Sequence, residues 1–442
     1  MWKHSSPFVK FVLFIIRVRS QELGKMAKGM KYVVIVGDGM ADYPVESING
    51  KTPLMVARTH NMDWLAKHGS LGLVRTVPDG FNPGSEIANL SIFGYDPLQY
   101  YTGRGPLEAA SLGVELKKDD LAFRCNLVTL HSQGSKVVME DFAAGHISDR
   151  EANEIIVGLD QAIGTEETRF YSGVSYRHLM VMKNGASTCS SLERLGLTPP
   201  HDIIGQEIAP FLPENEGSGR RILTLMTESQ RFLKEHPVNL DRKARGLRPA
   251  NSVWLWGQGR SPQMVTLKER FGIDGYVISA VHLIKGIGLL AGLEVLQVPD
   301  ITGYFDTNYE GKGEYALRGL EKKDFVYVHV EAPDEAGHMG DLRLKVEAIE
   351  AFDEKVVGTI LKGIKDFEKV KVMVLPDHPT PLAVRTHTAE PVPFVIYSNE
   401  VSQKKYHAET FDEVSAMQSG LFIENGYELI ERFLIRNPGS HE

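Results

Sequence analysis

The chain has 442 residues, of which 42% are hydrophobic and 24% are charged, and its formal net charge is −8. This composition is typical of a globular protein with more than one domain, and the negative charge argues against a nucleic-acid-binding surface. The two cysteines exclude a disulfide framework and a thiolate zinc cage, so a metal site would need Asp, Glu or His ligands.

The first 29 residues differ from the rest of the chain. Their apolar run, FVKFVLFIIRV, is interrupted by Lys10 and Arg17 and is too short to span a bilayer. It resembles the core of a signal peptide, but no small-residue cleavage site follows it. We therefore predict that residues 1–29 are a disordered tail or the product of an upstream start. The body of the protein is expected to be cytoplasmic, without contact to a membrane.

Short apolar strands recur along the chain, each bounded by turn residues. They are predicted at 32–36, 276–281, 324–331, 370–375 and 394–397. Several are apolar on both faces, which is typical of strands covered by helices on both sides of a sheet. Apolar residues recur at helical spacing between the third and fourth of these strands. Strand, helix and strand in this order predict a βαβ unit and an α/β fold.

The middle of the chain has a different pattern, because polar loops such as LPENEGSGRR separate shorter elements. We predict that 112–290 form a smaller α+β domain for substrate binding and phosphotransfer. It would be inserted into an α/β domain made of 30–111 and 291–442. The larger domain is expected to contain a mostly parallel sheet with helices on both faces.

Acidic and imidazole side chains lie directly after three of the predicted strands or in the loop that follows the last of them. They are, in chain order, Asp38, Asp334, His338, Asp377, His378 and His387. Ligand sites in open parallel sheets form beyond the carboxyl ends of the strands, so we expect these side chains to meet at one edge. Each Asp-His pair alone is more often a turn or cap, but together they favour a metal site. Such a mixed set suits Mn²⁺ or Zn²⁺ and tolerates Mg²⁺.

Ser85 lies in the segment FNPGSEIANLSIFGYD, before an apolar stretch with helical potential. At a helix start, free N–H groups and the helix dipole attract a phosphate. From this segment alone, an ordinary helix N-cap is the preferred interpretation. Beside divalent ions, however, a serine hydroxyl loses its proton more easily and becomes a nucleophile.

The chain resembles the archaeal-type cofactor-independent phosphoglycerate mutases, members of the alkaline phosphatase superfamily. Six blocks carry the resemblance: GDGMAD, PGSEIANLSIFGYDP, YYTGRGPLEAASLGVEL, EAPDEAGH, LPDHPTP and HTAEPVPF. It extends from residue 30 to the end of the chain and implies an alkaline-phosphatase-like fold. It also implies two divalent ions, Mn²⁺ or alternatively Mg²⁺ or Zn²⁺, and no bisphosphoglycerate. The implied ligands are Asp38, Ser85, Asp377 and His378 for one ion, and Asp334, His338 and His387 for the other.

The activity implied by the resemblance is the interconversion of 3-phosphoglycerate and 2-phosphoglycerate in glycolysis. Ser85 would take the phosphoryl group as a phosphoserine and return it to the other hydroxyl of the glycerate. The motif here is Gly84-Ser85-Glu86, where the longer mutases of the superfamily carry Asn-Ser-Glu, so only the serine is carried over.

Three alternatives remain open. The blocks GSEIANLS, AGHIS and RPANSVWLWGQGR also resemble a bacterial branch of the family proposed to act as homoserine kinases. A phosphomonoesterase would transfer the phosphoryl group to water, although the large inserted domain argues against it. A metal-binding protein without catalysis is disfavoured by the serine and the set of candidate ligands.

The expected partner, a small phosphorylated carboxylic acid, needs cationic side chains, and arginine binds both of its charged groups bidentately. The candidates are Arg104, Arg124, Arg177, Arg260 and Lys312. Arg177 and Arg260 are preferred, because they fall where the related enzymes keep substrate-binding arginines. The structural alternatives are interdomain salt bridges for Arg104 and Arg124 and a solvated loop charge for Lys312.

Three other side chains of the middle segment are predicted to have structural roles. His146, in AGHIS, could orient a substrate but is predicted to be structural. Trp254 and Trp256, in WLWG, are predicted to pack in the core.

Overall fold

The computed structural model describes residues 29–189, 191–400 and 406–435. Its strands are β1 Met30–Gly37, β2 Ser70–Val74, β3 Leu121–Gln133, β4 Lys136–Asp141, β5 Thr168–Val174, β6 Arg177–Met182, β7 Ser252–Gly259, β8 Gly275–Ile278, β9 Glu294–Val295, β10 Phe325–Val330, β11 Lys369–Leu375, β12 Val392–Ser398 and β13 Phe422–Ile423. Of the N-terminal extension proposed from the sequence, residues 1–28 lie outside the described part of the chain.

The α-helices alternate with these strands. They are α1 Pro53–Val56, α2 His60–His68, α3 Ser85–Ile92, α4 Pro97–Tyr100, α5 Arg104–Ser111, α6 Asp149–Ile163, α7 Gly185–Thr188, α8 Gly217–Lys234, α9 Pro237–Ala244, α10 Leu267–Phe271, α11 His282–Leu290, α12 Tyr309–Lys322, α13 Ala332–Met339, α14 Leu342–Ala351, α15 Gly358–Gly363, α16 Glu413–Gln418 and α17 Leu429–Leu434. None of them has the length and apolar character needed to cross a membrane.

The described residues form two compact units. One contains the chain up to Tyr101 and from Met264 onward, and the other is Thr102–Gln263. This division differs from the boundaries at 112 and 290 that the sequence suggested. Helix α5 packs through Ala109 on β3 of the second unit, and β8 pairs with β10 in the sheet of the first unit. Both elements therefore fall on the other side of the expected boundary.

An eight-stranded sheet forms the centre of the first unit, in the order β13-β2-β12-β11-β1-β10-β8-β9. Strands β11, β1, β10, β8 and β9 are parallel, whereas β12 is antiparallel to both of its neighbours. The predicted α/β class with a mostly parallel sheet is therefore confirmed.

Both faces of this sheet are covered, because successive side chains of a strand point to opposite faces. On one face, Val33 and Ile35 of β1 share a core with apolar residues of α2, α12 and α14. On the other face, Tyr32 of β1 packs edge-on against Phe433 of α17, with ring centroids 5.6 Å apart. The helix predicted after β10 forms α14 and α15, joined by a π-helical segment at Phe352–Val357.

The second unit is built on an antiparallel sheet. Strand β3 pairs with β4, β6 and β7, and β6 also pairs with β5. Helices α6 and α8 contribute Ile155 and Ile222 to its apolar core. Trp254 and Trp256 of β7 lie in this core and are 2% and 6% exposed, which confirms their predicted packing role.

Candidate active site

The strands β1, β10 and β11 lie side by side and end at the same edge of the sheet. In their registers, Gly37 is opposite Val330 and Val36 is opposite Leu375. The residues that follow these strands therefore meet at one edge, as the parallel arrangement predicted. Helix α13 begins directly after β10 and carries Asp334 and His338 one turn apart.

Four of the predicted residues form a first cluster, called here the serine group: Asp38, Ser85, Asp377 and His378. The Oγ of Ser85 lies 3.1 Å from Nε2 of His378. That nitrogen is also 3.4 Å from Oδ1 of Asp38 and 3.5 Å from Oδ2 of Asp377. Both carboxylates and the imidazole are buried.

The other three predicted residues form a second cluster, called here the histidine group: Asp334, His338 and His387. The Nε2 of His338 is 3.1 Å from Oδ2 of Asp334, and the Nε2 of His387 is 3.5 Å from Oδ1 of the same carboxylate. The two Nε2 atoms are 3.1 Å apart. The Nδ1 of His338 faces the main-chain oxygen of Arg385 at 3.0 Å, so Nδ1 donates and Nε2 faces the cluster.

His378, a member of the serine group, also lies beside the histidine group. Its ring centroid is 4.2 Å from that of His387, and ligand atoms of Asp334, His378 and His387 lie within 4.8 Å of one another. A second set of ligand atoms with the same spacing consists of Asp38, His329 and Asp377. The structure thus brings all seven predicted residues together and adds His329.

His329 was not predicted from the sequence, because a histidine between valines in a strand has the pattern of a core residue. It is 1% exposed, and its Nε2 lies 3.2 Å from Oδ2 of Asp38. Its position depends on the pairing of β10 with β1, which sets His329 opposite Val36. A sequence carries no direct signal of that register.

The electrostatics of the two groups fit divalent cations. Burial, followed by the nearby carboxylate of Asp377, raises the pKa of Asp38 well above its usual range. Oδ1 of Asp38 is buried and has no hydrogen-bond partner among the described residues. A positive charge between carboxylates this close together stabilises their ionised forms, and buried polar atoms need a partner.

The histidine group pairs one carboxylate with two imidazoles. Although burial acts in the opposite direction, hydrogen bonds from His338 and His387 hold the pKa of Asp334 well below its usual range. Burial acts to lower the pKa of His338, but the hydrogen bond to Asp334 raises this pKa to about 9. Two Nε2 atoms and a carboxylate therefore converge on a position that favours a positive charge. Carboxylate and imidazole without thiolate form a donor set that suits Mn²⁺, Zn²⁺ or Mg²⁺.

Ser85 is the first residue of α3 rather than its N-cap. The N-cap is Gly84, which has no side chain to cap the helix. The N-cap interpretation of Ser85 is therefore wrong: its hydroxyl contacts His378 instead of a main-chain N–H. The Nδ1 of His378 faces the main-chain oxygen of Pro379 at 3.3 Å, so Nδ1 carries the hydrogen. Its Nε2 then presents an electron pair to the hydroxyl of Ser85.

Asn89 is a further residue of the site that the sequence did not reveal. It lies one turn after Ser85 on α3 and is buried. Its Nδ2 donates to the main-chain oxygen of Ser85 at 2.9 Å and to Oδ2 of Asp377 at 2.8 Å. Its Oδ1 accepts from the hydroxyl of Tyr327 at 2.5 Å. The spacing of four residues from Ser85 was the only available signal.

In the second unit, two of the predicted arginines surround a buried glutamate. Arg104 Nε lies 3.0 Å from Oε1 of Glu108, and Arg124 Nη1 also binds that oxygen. Burial lowers the pKa of Arg124 to about 10, although Glu108 acts to raise it. The guanidinium carbons of Arg104 and Arg124 lie 5.7 and 5.4 Å from the centre of the Trp256 ring. These ion pairs lie within one unit and not between domains.

The two preferred arginines differ in their surroundings. Arg177 is exposed, and its guanidinium lies 4.8 Å from the centre of the Tyr176 ring. Arg260 pairs with Glu193, with Nε at 3.0 Å and Nη2 at 2.7 Å from Oε2. Arg260 therefore already holds a carboxylate in the manner expected for a substrate.

The surroundings of Lys312 fit neither role inferred from the sequence, a substrate ligand or a solvated loop charge. It is fully buried on α12, and its Nζ donates to the main-chain oxygen of His329 at 2.9 Å. Burial lowers the pKa of Lys312 to about 8. It is neither a solvated loop charge nor a side chain open to a ligand from solvent, because it lies on the buried face of its helix.

His146 lies on the surface in a turn with an uncommon backbone. Ala144, Gly145 and His146 all have positive φ, of 47°, 66° and 49°. Arg242 Nη2 donates to the main-chain oxygen of Ala144 at 2.7 Å, and Asp141 accepts from the N–H of Gly145 at 3.0 Å. Left-handed conformations in residues other than glycine persist only where the surroundings enforce them.

Proteins similar in sequence to this chain identify its family. A family model described as 2,3-bisphosphoglycerate-independent phosphoglycerate mutase matches residues 66–239. The "Probable 2,3-bisphosphoglycerate-independent phosphoglycerate mutase" of Geobacter sulfurreducens is 52% identical over 92% of this chain and 100% of its own length. The Methanosarcina acetivorans protein named 2,3-bisphosphoglycerate-independent phosphoglycerate mutase is 50% identical, over 91% of this chain and 98% of its own.

A solved structure agrees with these relatives. The "Cofactor-Independent Phosphoglycerate mutase" from Thermoplasma acidophilum is 28% identical, covers 91% of this chain and 98% of its own, and superimposes with a TM-score of 0.59. The chain therefore belongs to the family of 2,3-bisphosphoglycerate-independent phosphoglycerate mutases.

Proposed function

We propose that this chain is a 2,3-bisphosphoglycerate-independent phosphoglycerate mutase that interconverts 3-phosphoglycerate and 2-phosphoglycerate. The observation that carries this proposal is the position of Ser85. Its hydroxyl lies 3.1 Å from Nε2 of His378, at the edge of a buried Asp/His cluster, in a chain of this family. A role in glycolysis follows from this reaction.

The site residues are proposed to hold two divalent ions, Mn²⁺ or alternatively Mg²⁺ or Zn²⁺. The serine group would hold one ion and the histidine group the other, without bisphosphoglycerate. When bound, such ions neutralise the charge of a phosphate and lower the pKa of a nearby hydroxyl. Asn89 would orient Ser85 relative to Asp377 through its two hydrogen bonds.

Ser85 is the proposed nucleophile. A bond forms between its Oγ and the phosphorus of 3-phosphoglycerate, while the bond from phosphorus to the C3 oxygen breaks. The hydroxyl of Ser85 gives up its proton, and the C3 oxygen gains one, so that a phosphoserine and glycerate result. In a second transfer, the bond from Oγ of Ser85 to phosphorus breaks while a bond forms from phosphorus to the C2 oxygen, whose proton returns to Oγ. Exclusion of water is required, because water would otherwise accept the phosphoryl group.

The cationic side chains of Thr102–Gln263 are the proposed partners of the substrate. Arg177 is exposed and lies against Tyr176, and Arg260 binds a carboxylate in the form of Glu193. Both are proposed to bind the charged groups of phosphoglycerate. Arg104 and Arg124 are proposed to contribute positive charge near them. A cytoplasmic location, and the absence of nucleic-acid and membrane partners, stay predictions of the sequence.

The test is an assay coupled to enolase, with 3-phosphoglycerate, Mn²⁺, no added bisphosphoglycerate and no ATP. We expect turnover by the wild-type protein and none by Ser85→Ala. Mass spectrometry of protein quenched during turnover should find phosphate on the peptide that contains Ser85. Turnover by Ser85→Ala would contradict the phosphoserine route. A wild-type protein that binds both ions but acts only on homoserine with ATP would contradict the mutase.

A further inference from the structure

Thr380 lies between the two groups of candidate ion ligands. Its Oγ1 is 2.5 Å from Oδ1 of Asp334, a member of the histidine group, and 3.3 Å from Nδ1 of His378, a member of the serine group. The side chain is fully buried. A single hydroxyl therefore contacts one ligand of each group.

The side chain of Thr380 is closely packed against two glycines. A Cβ added to Gly39 would lie 2.6 Å from Oγ1 of Thr380, and one added to Gly337 would lie 2.7 Å from its Cγ2. The N–H of Thr380 donates to the main-chain oxygen of Ala41 at 3.2 Å. Its main-chain oxygen accepts from Nζ of Lys345 at 2.8 Å. Both the backbone and the side chain are thus fixed.

The direction of the two hydrogen bonds follows from the chemistry of each partner. The hydroxyl of Thr380 donates its one hydrogen to Oδ1 of Asp334. Nδ1 of His378 carries a hydrogen, because it also faces the main-chain oxygen of Pro379. It shares this one hydrogen between the main-chain oxygen of Pro379 and Oγ1 of Thr380, each 3.3 Å away. The chain of bonds runs from His378 through Thr380 to Asp334.

We propose that Thr380 is a positioning residue that links the two ion sites, an inference that rests on the proposed function. Partners of metal ligands fix the orientation and basicity of those ligands. Hydrogen bonds in a chain also polarise one another. Each ion therefore binds a ligand that the same hydroxyl orients, although Thr380 itself binds neither ion. Loss of the hydroxyl weakens both sites.

The test compares the full-length wild-type protein with Thr380→Val, which keeps the shape and lacks the hydroxyl, and with Thr380→Ser, which keeps the hydroxyl. Mn²⁺ binding is measured by isothermal titration calorimetry, and bound Mn²⁺ is counted by elemental analysis. We expect Thr380→Val to lower the affinity of both sites by about 10-fold or more. Thr380→Ser should restore most of the loss. His387→Ala, which removes a ligand of the histidine group, should weaken one site.

A matched control separates positioning from general stability. Thr129 is also buried, and its Oγ1 donates to the main-chain oxygen of Pro249 at 2.8 Å, within the Thr102–Gln263 unit, which contains no member of either ligand group. Thr129→Val is expected to lower the melting temperature and keep both Mn²⁺ affinities.

Several results would overturn the link. Wild-type affinities in Thr380→Val would do so, as would a loss confined to one site or a failure of serine to rescue. A wild-type protein that binds fewer than two ions would overturn both the link and the two-ion site. A wild-type protein that binds two ions without mutase turnover would count against the proposed function only, and the binding data of the variants would still decide the link.

Discussion

The ammonium of Lys345 lies 2.7 Å from Oδ2 of Asp42, and the two side chains are 0% and 1% exposed. Lys345 also donates to the main-chain oxygen of Thr380, and Asp42 accepts from the N–H of Leu382. This buried ion pair therefore ties the loop after β1 to the loop after β11. These two loops carry three of the four residues of the serine group.

Lys345→Met should destabilise the protein by about 3–5 kcal/mol, because it leaves the carboxylate of Asp42 buried without its cation. The measurement is the free energy of unfolding in urea, with the ion-free protein. The double variant Lys345→Met/Asp42→Asn should recover part of the loss, since it removes the uncompensated charge. A single variant within about 1 kcal/mol of the wild type would show that the pair is not an essential tie.

His338→Ala should reduce the number of bound Mn²⁺ ions from two to one. The variant removes one of three ligands in the histidine group and leaves the serine group intact. Elemental analysis after removal of free metal measures the stoichiometry. His68→Ala is the control, because His68 is an exposed histidine of α2. Two ions retained in His338→Ala would rule out His338 as a ligand.

Tyr327→Phe should lower kcat and leave KM nearly unchanged. The hydroxyl of Tyr327 holds the amide of Asn89, which in turn binds Ser85 and Asp377. Loss of the Tyr327 hydroxyl leaves Oδ1 of Asn89 buried without its donor, which lowers the free energy of unfolding by about 1–3 kcal/mol. Tyr32→Phe is the matched control, because Tyr32 donates its hydroxyl to the main-chain oxygen of Leu434 in the same unit. A fall in kcat of the same size in both variants would indicate a general loss of structure.

Glu193→Gln should lower KM for 3-phosphoglycerate by up to about fivefold. In the proposed function, the substrate must displace the carboxylate of Glu193 from Arg260, and a partly exposed pair of this kind contributes about 1 kcal/mol at most. Steady-state kinetics measure the effect. Glu140→Gln is the control, because Glu140 pairs with Arg248 elsewhere in the same unit. An increase in KM would indicate that Glu193 helps to bind the substrate.

Glu413 should make the stability of the protein depend on pH. Burial raises its pKa from 4.5 to about 7, although hydrogen bonds from Thr52 and the N–H of Asp42 act to lower it. The protonated form is therefore favoured in the folded state, and stability is lost as the pH rises from 4.5 to about 7. A difference of this size corresponds to about 3 kcal/mol at most.

Glu413→Gln cannot ionise, so its stability relative to the wild type should increase over the same pH range. Urea unfolding at about pH 5 and about pH 8 measures the change. Glu235→Gln, at an exposed glutamate, should follow the wild type at both pH values. A constant difference between wild type and Glu413→Gln would show that Glu413 is ionised throughout.

The sequence predicted the parts of the site that depend on local pattern. Buried strands were recognisable by their apolar runs, and the rule for parallel sheets then placed Asp38, Asp334 and Asp377 at one edge. The preference for Mn²⁺, Zn²⁺ or Mg²⁺ was inferred from residue type alone, because a mixed set of carboxylates and imidazoles without thiolate suits such divalent ions.

The parts that were missed depend on contacts between distant segments. His329 faces Asp38 only because of the register between β10 and β1. Thr380 and Lys345 gain their roles from contacts between segments that are distant in the sequence. Lys312 was misplaced for a related reason: a lysine flanked by glycines suggests a loop, whereas packing of α12 buries it.

The position of β1 between β10 and β11 has a consequence for the order of events in folding. The N–H of Gly39 donates to Oδ1 of Asp377 across 338 residues of sequence. Contacts this remote form only after the intervening chain has been synthesised and closed, which makes them slow. A growing chain that has not yet produced β11 therefore has no serine group. Ions that bind the finished cluster select the completed fold and draw the folding equilibrium towards it by mass action.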